Sequence, residues 1–178
     1  MSGICMALVL KERGSIVNRT SDSGDQHRCF SAQGGRMQTV NQLLRAKGGQ
    51  IFSVLPTDSV LHAIKIMATH HIGALLVMSQ TSLLGVISER DYARKVILMN
   101  RLSSDTRVAE IMTASPTTVS PQDTVRHCMQ LMTEGRFRHL PVVESGRVVG
   151  ILSIGDLVKA VIEEQQDQIE QLERYIAG

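Results

Sequence analysis

One internal duplication limits the folds open to this chain more than any other feature of its sequence. Within its 178 residues, positions 51–97 align with positions 116–162 without a gap, at a constant offset of 65. Identical residues recur along the aligned length, at Val54/Val119, Pro56/Pro121, Asp58/Asp123, Val60/Val125, His62/His127, Met67/Met132, Leu75/Leu140, Val77/Val142, Gly85/Gly150, Ser88/Ser153, Asp91/Asp156 and Val96/Val161. Such regular self-similarity indicates two copies of one structural unit.

Each copy has the residue pattern of a strand, a helix, two further strands and a second helix. A short β-prone run ends at Pro56 or Pro121, and the helix that follows has apolar residues at helical spacing. Two short apolar runs then predict buried strands, with ESGR as a hairpin turn in the second copy. We therefore predict an α+β fold of two tandem β-α-β-β-α units. Because so small a sheet cannot bury both faces alone, the units should pack together about a pseudo-twofold axis.

The repeat divides the chain into segments with different predicted roles. Residues 1–36 mix serine, glycine, aspartate, arginine and glutamine without a regular period, which predicts a disordered leader. Translation from Met37 would remove this leader. Residues 37–50 lead into the first copy (51–97), residues 98–115 connect it to the second (116–162), and residues 163–178 form a C-terminal helical extension.

The last predicted helix is longer than its counterpart in the first copy. Ile162, Ile169 and Ile176 are seven residues apart, and Leu172 lies near a d position of the same heptad pattern. Gln165 and the short length argue against a strong coiled coil. Two arrangements stay open: the helix packs across a dimer interface, or it packs onto its own core.

Composition and charge exclude several classes of protein. With 43% hydrophobic and 20% charged residues, the chain has the composition of a globular protein. Residues 51–178 carry 12 Lys/Arg against 14 Asp/Glu, and only 3% of the chain is aromatic, so a nucleic acid is not indicated as a partner. No apolar run approaches the roughly 20 residues that span a bilayer, and ICMALVL lacks the flanks of a signal peptide. We predict a cytoplasmic protein that binds neither nucleic acid nor membrane.

The motif GVISERD (85–91) returns as GILSIGD (150–156). A serine three residues before an aspartate is typical of a capping box, in which each side chain accepts from the other residue's backbone N–H at a helix start. Capping does not explain Gly85 and Gly150, because a strand glycine is costly unless something approaches the backbone closely. A helix start also suits a phosphate, and an aspartate can accept two hydrogen bonds from a ribose diol. Capping and ligand binding both remain open.

A basic segment, GRFRHLP (135–141), leads into the predicted buried strand HLPVVE of the second copy. Strand alternation would put Arg136 and Arg138 on one face and His139 on the other. The segment is either a solvated strand edge or a phosphate clamp, with Arg90 as a further cation.

No other pattern indicates chemistry at a metal or a nucleophile. The three cysteines are far apart and outside any C-x-x-C pair, and the adjacent His70 and His71 lack ligand spacing. His62 and His127 lie among apolar helix positions, where a structural role is expected. We find no nucleophile with a local base, and Cys128 fits an amphipathic helix core. The sequence predicts no metal and no enzyme.

Taken together, the doubled G-h-h-S-x-x-D motif, VAEIMT before the second copy and RHLPVVE within it resemble a cystathionine-β-synthase (CBS) domain pair, over about residues 45–162. The resemblance implies a stand-alone regulatory module that binds an adenosine nucleotide in clefts between the two motifs. AMP is the first expectation, with ATP or NAD(H) as alternatives. It also implies a disk-like homodimer and a downstream protein that the sequence does not identify.

The resemblance assigns ligand contacts to individual residues. Asp91 and Asp156 would bind ribose, Ser88 and Ser153 would lie on the phosphate side, and Arg138 and His139 would meet phosphate. Adenine would contact the opposite motif, at Gln50, Ile51, Ile72, Gly73 and Ala74 for the Asp156 site and at Ser115, Phe137 and Arg138 for the Asp91 site. Since Gly155 stands where the first copy has Arg90, the Asp91 site should hold a phosphorylated ligand better.

The sequence leaves two other functions open. A structural module that recruits a partner through its C-terminal helix would respond to no ligand. An enzyme using Cys128 or His139 would turn over a nucleotide.

Overall fold

The computed structural model describes residues 38–48 and 50–177, so the leader predicted over residues 1–36 lies outside the described residues. The helices are α1 (Val40–Lys47), α2 (Val60–His70), α3 (Glu89–Tyr92), α4 (Val108–Ile111), α5 (Val125–Gly135) and α6 (Ile154–Ala177), and a π-helical turn (Ala93–Ile97) continues α3. The strands are β1 (Ser53–Val54), β2 (Ala74–Ser79), β3 (Ser82–Ser88), β4 (Thr113–Ala114), β5 (His139–Glu144) and β6 (Arg147–Ser153).

Each copy is built around an antiparallel hairpin, β2–β3 in the first and β5–β6 in the second. The predicted ESGR turn is confirmed: Ser145 and Gly146 have φ of 49° and 77°, the positive values that a tight two-residue hairpin loop requires. Both hairpins shift register at equivalent places, between Val77 and Met78 and between Val142 and Val143. The duplication is therefore kept in structural detail.

The first strand of the second copy is shorter than predicted. In the first copy β1 pairs with β2 in parallel, and the Leu76 N–H donates to the Phe52 carbonyl. The second copy keeps only an isolated bridge between Val119 and Val142. Position 141, which corresponds to Leu76, is a proline and has no N–H to donate, so the ladder is cut short.

The segments that precede the copies exchange places. Helix α1 precedes the first copy but is fastened to the second, where the Val40 and Asn41 N–H groups donate to the Asp123 and Pro121 carbonyls, each at 2.9 Å. Helix α4 precedes the second copy but is fastened to the first by equivalent bonds, from Val108 N–H to Asp58 (2.9 Å) and from Ala109 N–H to Pro56 (3.0 Å). Each core is therefore completed by a helix from outside the repeat.

Burial follows the same arrangement. Val40 and Leu43 of α1 lie in the core of the second copy, and Val108 and Ile111 of α4 lie in that of the first. A third apolar cluster joins the two copies, with Ala74, Leu76 and Val86 of the first packed against Val148 and Ile151 of the second. The prediction of two β-α-β-β-α units packed against each other is confirmed.

The two strand glycines have a structural reason. A Cβ on Gly85 would lie 2.8 Å from both the Met112 sulfur and the Thr113 carbonyl oxygen, and one on Gly150 would lie 2.6 Å from a methyl carbon of Leu44. The close approach inferred from these glycines is thus made by the exchanged segments. The glycines are no argument for a ligand.

We expect Gly85→Ala to lower the free energy of unfolding by about 1–3 kcal/mol, because the new methyl group overlaps the backbone of β4 as well as a side chain. Gly150→Ala should cost less, since the end of the Leu44 side chain can move aside. Urea unfolding measures both. Gly155→Ala is the control, because nothing but the Ser153 hydroxyl at 3.6 Å is near and the helix favours alanine; a larger loss at Gly150 than at Gly85 would contradict the expectation.

Candidate ligand-binding site

A capping box is present at the start of both second helices. In the first copy Asp91 Oδ2 accepts from Ser88 N–H (3.1 Å) and from the Ser88 hydroxyl (2.6 Å), and Asp91 N–H donates back to the hydroxyl (3.3 Å). Ser153 and Asp156 repeat this set at 2.7, 2.7 and 3.2 Å. The capping interpretation is confirmed, and it leaves each aspartate facing the junction between the copies.

Each of these aspartates also pairs with a lysine. Lys95, one turn further along the helix, lies with Nζ 2.8 Å from Asp91 Oδ1 and donates to the Ile111 carbonyl at 2.6 Å. Lys47 reaches the other site from the end of α1, with Nζ 2.7 Å from Asp156 Oδ2 and 3.2 Å from the Ile151 carbonyl. Each carboxylate thus accepts hydrogen bonds from its serine and pairs with a lysine.

A cavity of about 510 Å³ surrounds Asp91. The residues predicted for this site that line it are Ser88, Arg90, Asp91, Ser115, Phe137, Arg138 and His139. Arg94, Lys95 and Arg136 also line it, so five Lys/Arg face two carboxylates, those of Glu89 and Asp91. The excess of cations makes this cavity attractive to an anion.

The basic segment reaches this cavity by a turn. Arg136 ends α5 with φ of 55°, and β5 begins only at His139, so residues 136–138 do not alternate as a strand would. The predicted split of Arg136 and Arg138 from His139 is wrong for this reason, because all three line the first cavity. Arg90 bridges the copies from the other side, with Nη1 donating to the Arg136 carbonyl at 3.1 Å.

A second cavity, of about 420 Å³, surrounds Asp156. Of the residues predicted for this site, Gln50, Ile72, Gly73, Ala74, Ser153 and Asp156 line it. Ile51 does not, because side chains alternate along the extended segment and its neighbours Gln50 and Phe52 face the cavity instead. Lys47, His70 and His71 also line this cavity. This cavity has one lysine where the first has several cations.

Gly73 and His139 line both cavities and so form the wall between them. A Cβ on Gly73 would lie 3.6 Å from His139 Nε2. Burial lowers the pKa of His139 below its ordinary value of 6.5, and the charge of Lys47 lowers it further, while Asp156 and Asp91 oppose the shift. At neutral pH His139 is therefore uncharged, although two carboxylates are near it.

Asp156 is held in its charged form. Burial favours the neutral acid and raises its pKa, but the hydrogen bonds from Lys47 and from the backbone and hydroxyl of Ser153 outweigh burial, so the pKa lies below the ordinary 3.8. An ionised carboxylate with partners already in place is suited to accept hydroxyl donors.

The residues that the sequence did not indicate include the two lysines, together with Arg94, Phe52, Thr113, Pro116 and Thr117. Lys95 could have been found, since a lysine four residues after an aspartate on a helix is close to it. Lys47 could not, because it lies 109 positions from Asp156.

Neither a metal centre nor a membrane helix is found in the part of the chain that the structure describes. No three His, Cys, Asp or Glu side chains there come close enough to hold a metal ion. No described helix combines the length and apolarity needed to cross a bilayer.

The chain belongs to the CBS domain family: the family profile matches residues 49–98 and 108–163. The CBS domain-containing protein CBSX3, mitochondrial, of Arabidopsis thaliana is 38% identical over 167 residues, which cover 85% of this chain and 81% of that protein. The chain spans only 24% of a longer relative from the same plant, CBSCBSPB5, at 32% identity over 75% of its own length. The shared part is therefore about a quarter of that longer relative.

Solved structures of CBS proteins share the fold. A putative signal-transduction protein with CBS domains from Burkholderia ambifaria is 51% identical and superposes with a TM-score of 0.70 over 72% of this chain and 96% of its own. Protein PAE2072 of Pyrobaculum aerophilum, solved with AMP, is 25% identical (TM-score 0.61, 67% of this chain and 89% of that one). The CBS pair of MJ0100, solved with 5'-methylthioadenosine and S-adenosylmethionine, is 25% identical (TM-score 0.65, 72% and 98%).

The lowered pKa of His139 predicts a pH dependence of stability. Below about pH 6.5 the unfolded chain binds a proton that the folded chain resists, so the free energy of unfolding should fall as the pH drops from about 7 to 5. His139→Gln should flatten this slope in urea titrations at stepped pH. The exposed His127→Gln is the matched control and should leave the slope as it is; equal slopes for His139→Gln and the unaltered protein would refute the expectation.

Proposed function

We propose that this protein is a regulatory module that binds an adenosine nucleotide at each of its two cavities. The observation that carries the proposal is the repeated pairing of a capped aspartate with a lysine in a cavity at the junction of the two copies. The AMP and S-adenosylmethionine complexes of related CBS pairs support an adenosine ligand. AMP is the first candidate, and ATP and NAD(H) are the alternatives.

The first cavity suits a phosphorylated ligand. Asp91 would accept the ribose hydroxyls, and the phosphate would lie toward Arg90, Arg138 and His139. Arg90 uses one N–H on the Arg136 carbonyl, and its other N–H groups can donate to phosphate oxygens. Adenine would then lie near Ser115 and Phe137, on the side contributed by the second copy and the connector.

The second cavity suits a ligand with less negative charge. Asp156 Oδ2 already accepts from Ser153 and Lys47, and among the described residues Oδ1 has no hydrogen-bond donor, so Oδ1 can accept from a ribose. Lys47 is the cation here, in place of the Arg90 that this copy lacks. Gln50, Ile72 and Ala74 would surround the base.

Ligand binding would act through the packing of the two copies. A nucleotide that contacts both copies binds best when they are closed on each other, and this difference in affinity shifts the population of conformations. The shift would be transmitted to a downstream protein or to the assembly of a homodimer. No turnover of the nucleotide is proposed.

The cytoplasmic location stays a prediction. CBSX3 is named as a mitochondrial protein, so fractionation of cells that express the full chain is the appropriate test.

Binding should be detected by isothermal titration with AMP, ADP, ATP, NAD(H) and S-adenosylmethionine. A ligand at 100 times its dissociation constant should raise the free energy of unfolding by about 2.7 kcal/mol per site. Asp91→Asn and Asp156→Asn should each weaken one site by about tenfold, because each removes a charged acceptor. Asp105→Asn, at an exposed aspartate that accepts from Ser104, is the control.

A structural module without a ligand predicts a different result. If no nucleotide binds, or if both aspartate variants bind as the unaltered protein does, the proposed function is wrong. Conversion of AMP or ATP to a product during the titration would favour the enzyme alternative.

Lys47 allows the second cavity to be tested separately. In an Asp91→Asn background, Lys47→Met should weaken AMP binding by about tenfold and adenosine binding much less, because only AMP has a phosphate for the lysine to attract. Titration of the variant with AMP and with adenosine measures the loss of affinity for each ligand. The exposed Lys65→Met should change neither affinity, and an equal loss for AMP and adenosine would mean that Lys47 acts only by shaping the site.

A further inference from the structure

The second half of α6 has an uncovered apolar stripe. The last residue of α6 that is buried is Ala160, and the helix continues to Ala177. The stripe residues are Val158, Ile162, Ile169, Leu172 and Ile176, which are 41–82% exposed. With Gln165 they recur at alternating intervals of four and three, the spacing of one face of a coiled coil. Of the two arrangements that the sequence left open for this helix, packing of its second half onto the protein's own core is not observed.

This stripe is complementary to itself when two copies of α6 run in opposite directions. With the two helices centred on Asp167, Ile162 lies opposite the partner's Leu172, and Val158 lies opposite the partner's Ile176. Ile169 meets the partner's Gln165. All six stripe positions are used in this one register, whereas sliding the helices by a heptad leaves an end unpaired.

The flanking charges agree with the same register. Lys159 and Glu173 occupy equivalent flanking positions at opposite ends of the stripe, so an antiparallel pair brings Lys159 beside the partner's Glu173, twice over. A parallel pair would set Glu173 beside the partner's Gln168 and would form no such ion pair. Within its own chain Lys159 faces Glu163 at 3.8 Å, a weak exposed pair that leaves it free to exchange.

A groove beside the stripe fits the residue that the register brings to it. The groove has a volume of about 260 Å³ and lies between α5 and α6, lined by Val125, Arg126, Met129, Val161, Glu164 and Gln168. Val161 lies opposite the partner's Tyr175 in the antiparallel register. Tyr175 is 87% exposed in the single chain, and its ring and hydroxyl match a groove with both apolar and polar walls.

We propose that α6 is a dimerisation helix, which pairs antiparallel with α6 of a second copy and seats its Tyr175 in the groove of that copy. The contact is isologous, since each copy offers the same stripe and the same groove, so it closes on two chains. The proposal is independent of the nucleotide function, because none of its residues line the two nucleotide cavities.

Sedimentation equilibrium of the full chain tests the pairing. The unaltered protein should be a dimer, and Ile169→Asp together with Leu172→Asp should weaken dimerisation at least about tenfold by burying charge at the seam. Tyr175→Ala should weaken it by a smaller factor. Arg174→Ala, at the neighbouring outward position, should not. An unchanged circular dichroism spectrum would show that the exposed half of α6 was altered without loss of the fold.

A charge exchange tests the direction. Lys159→Glu and Glu173→Lys should each weaken the dimer by about two- to tenfold, and the double variant should recover it, because only the antiparallel register brings these residues together. A monomeric unaltered protein, a dimer unaffected by the aspartate substitutions, or a double variant no better than the singles would overturn the proposal. Titration with AMP on the same variants reports on the nucleotide sites separately.

Discussion

The exchange of the two leading helices is the constraint on which the other features depend. Four backbone hydrogen bonds fix α1 to the second copy and α4 to the first, and their side chains complete the opposite cores. The same docking packs the exchanged segments closely against Gly85 and Gly150 and brings Lys47 and Ser115 to the two cavities. Docking of the two helices therefore completes the cores and brings residues to the cavities at the same time.

The aspartates show that capping and ligand binding need not compete. In the capping box, Oδ2 of Asp91 accepts two hydrogen bonds from Ser88, which fix the side-chain rotamer. The other oxygen, Oδ1, therefore points in a defined direction. In water an aspartate would lose rotamer freedom on meeting a ligand, but here folding has already removed that freedom. A motif that looks like ordinary helix chemistry can thus also pre-organise an acceptor.

Much of the fold could be predicted because the duplication repeats the same local signals, such as the ESGR turn and the serine and aspartate of each cap. The predictions that failed did so for specific reasons. Pro141 shortened a strand by removing a single donor, and the turn at 136–138 replaced a strand whose alternation had been assumed. Lys47 was missed because α1 corresponds to α4 at an offset of 68, as Val40 and Val108 show, and not at the 65 of the repeat. Contacts between distant segments are not encoded in any local pattern, so the cation of the second cavity had to come from the structure.

The exchange of helices also predicts the order in which the two copies fold during synthesis on the ribosome. The first copy and α4 lie together between residues 51 and 115, so that half has all of its core as soon as Met112 has left the exit tunnel. Helix α1 is made earlier, but its partners around Asp123 come more than 80 positions later. A helix of 8 residues is not stable alone in water. We therefore expect the earliest helix of the described chain to be the last to dock.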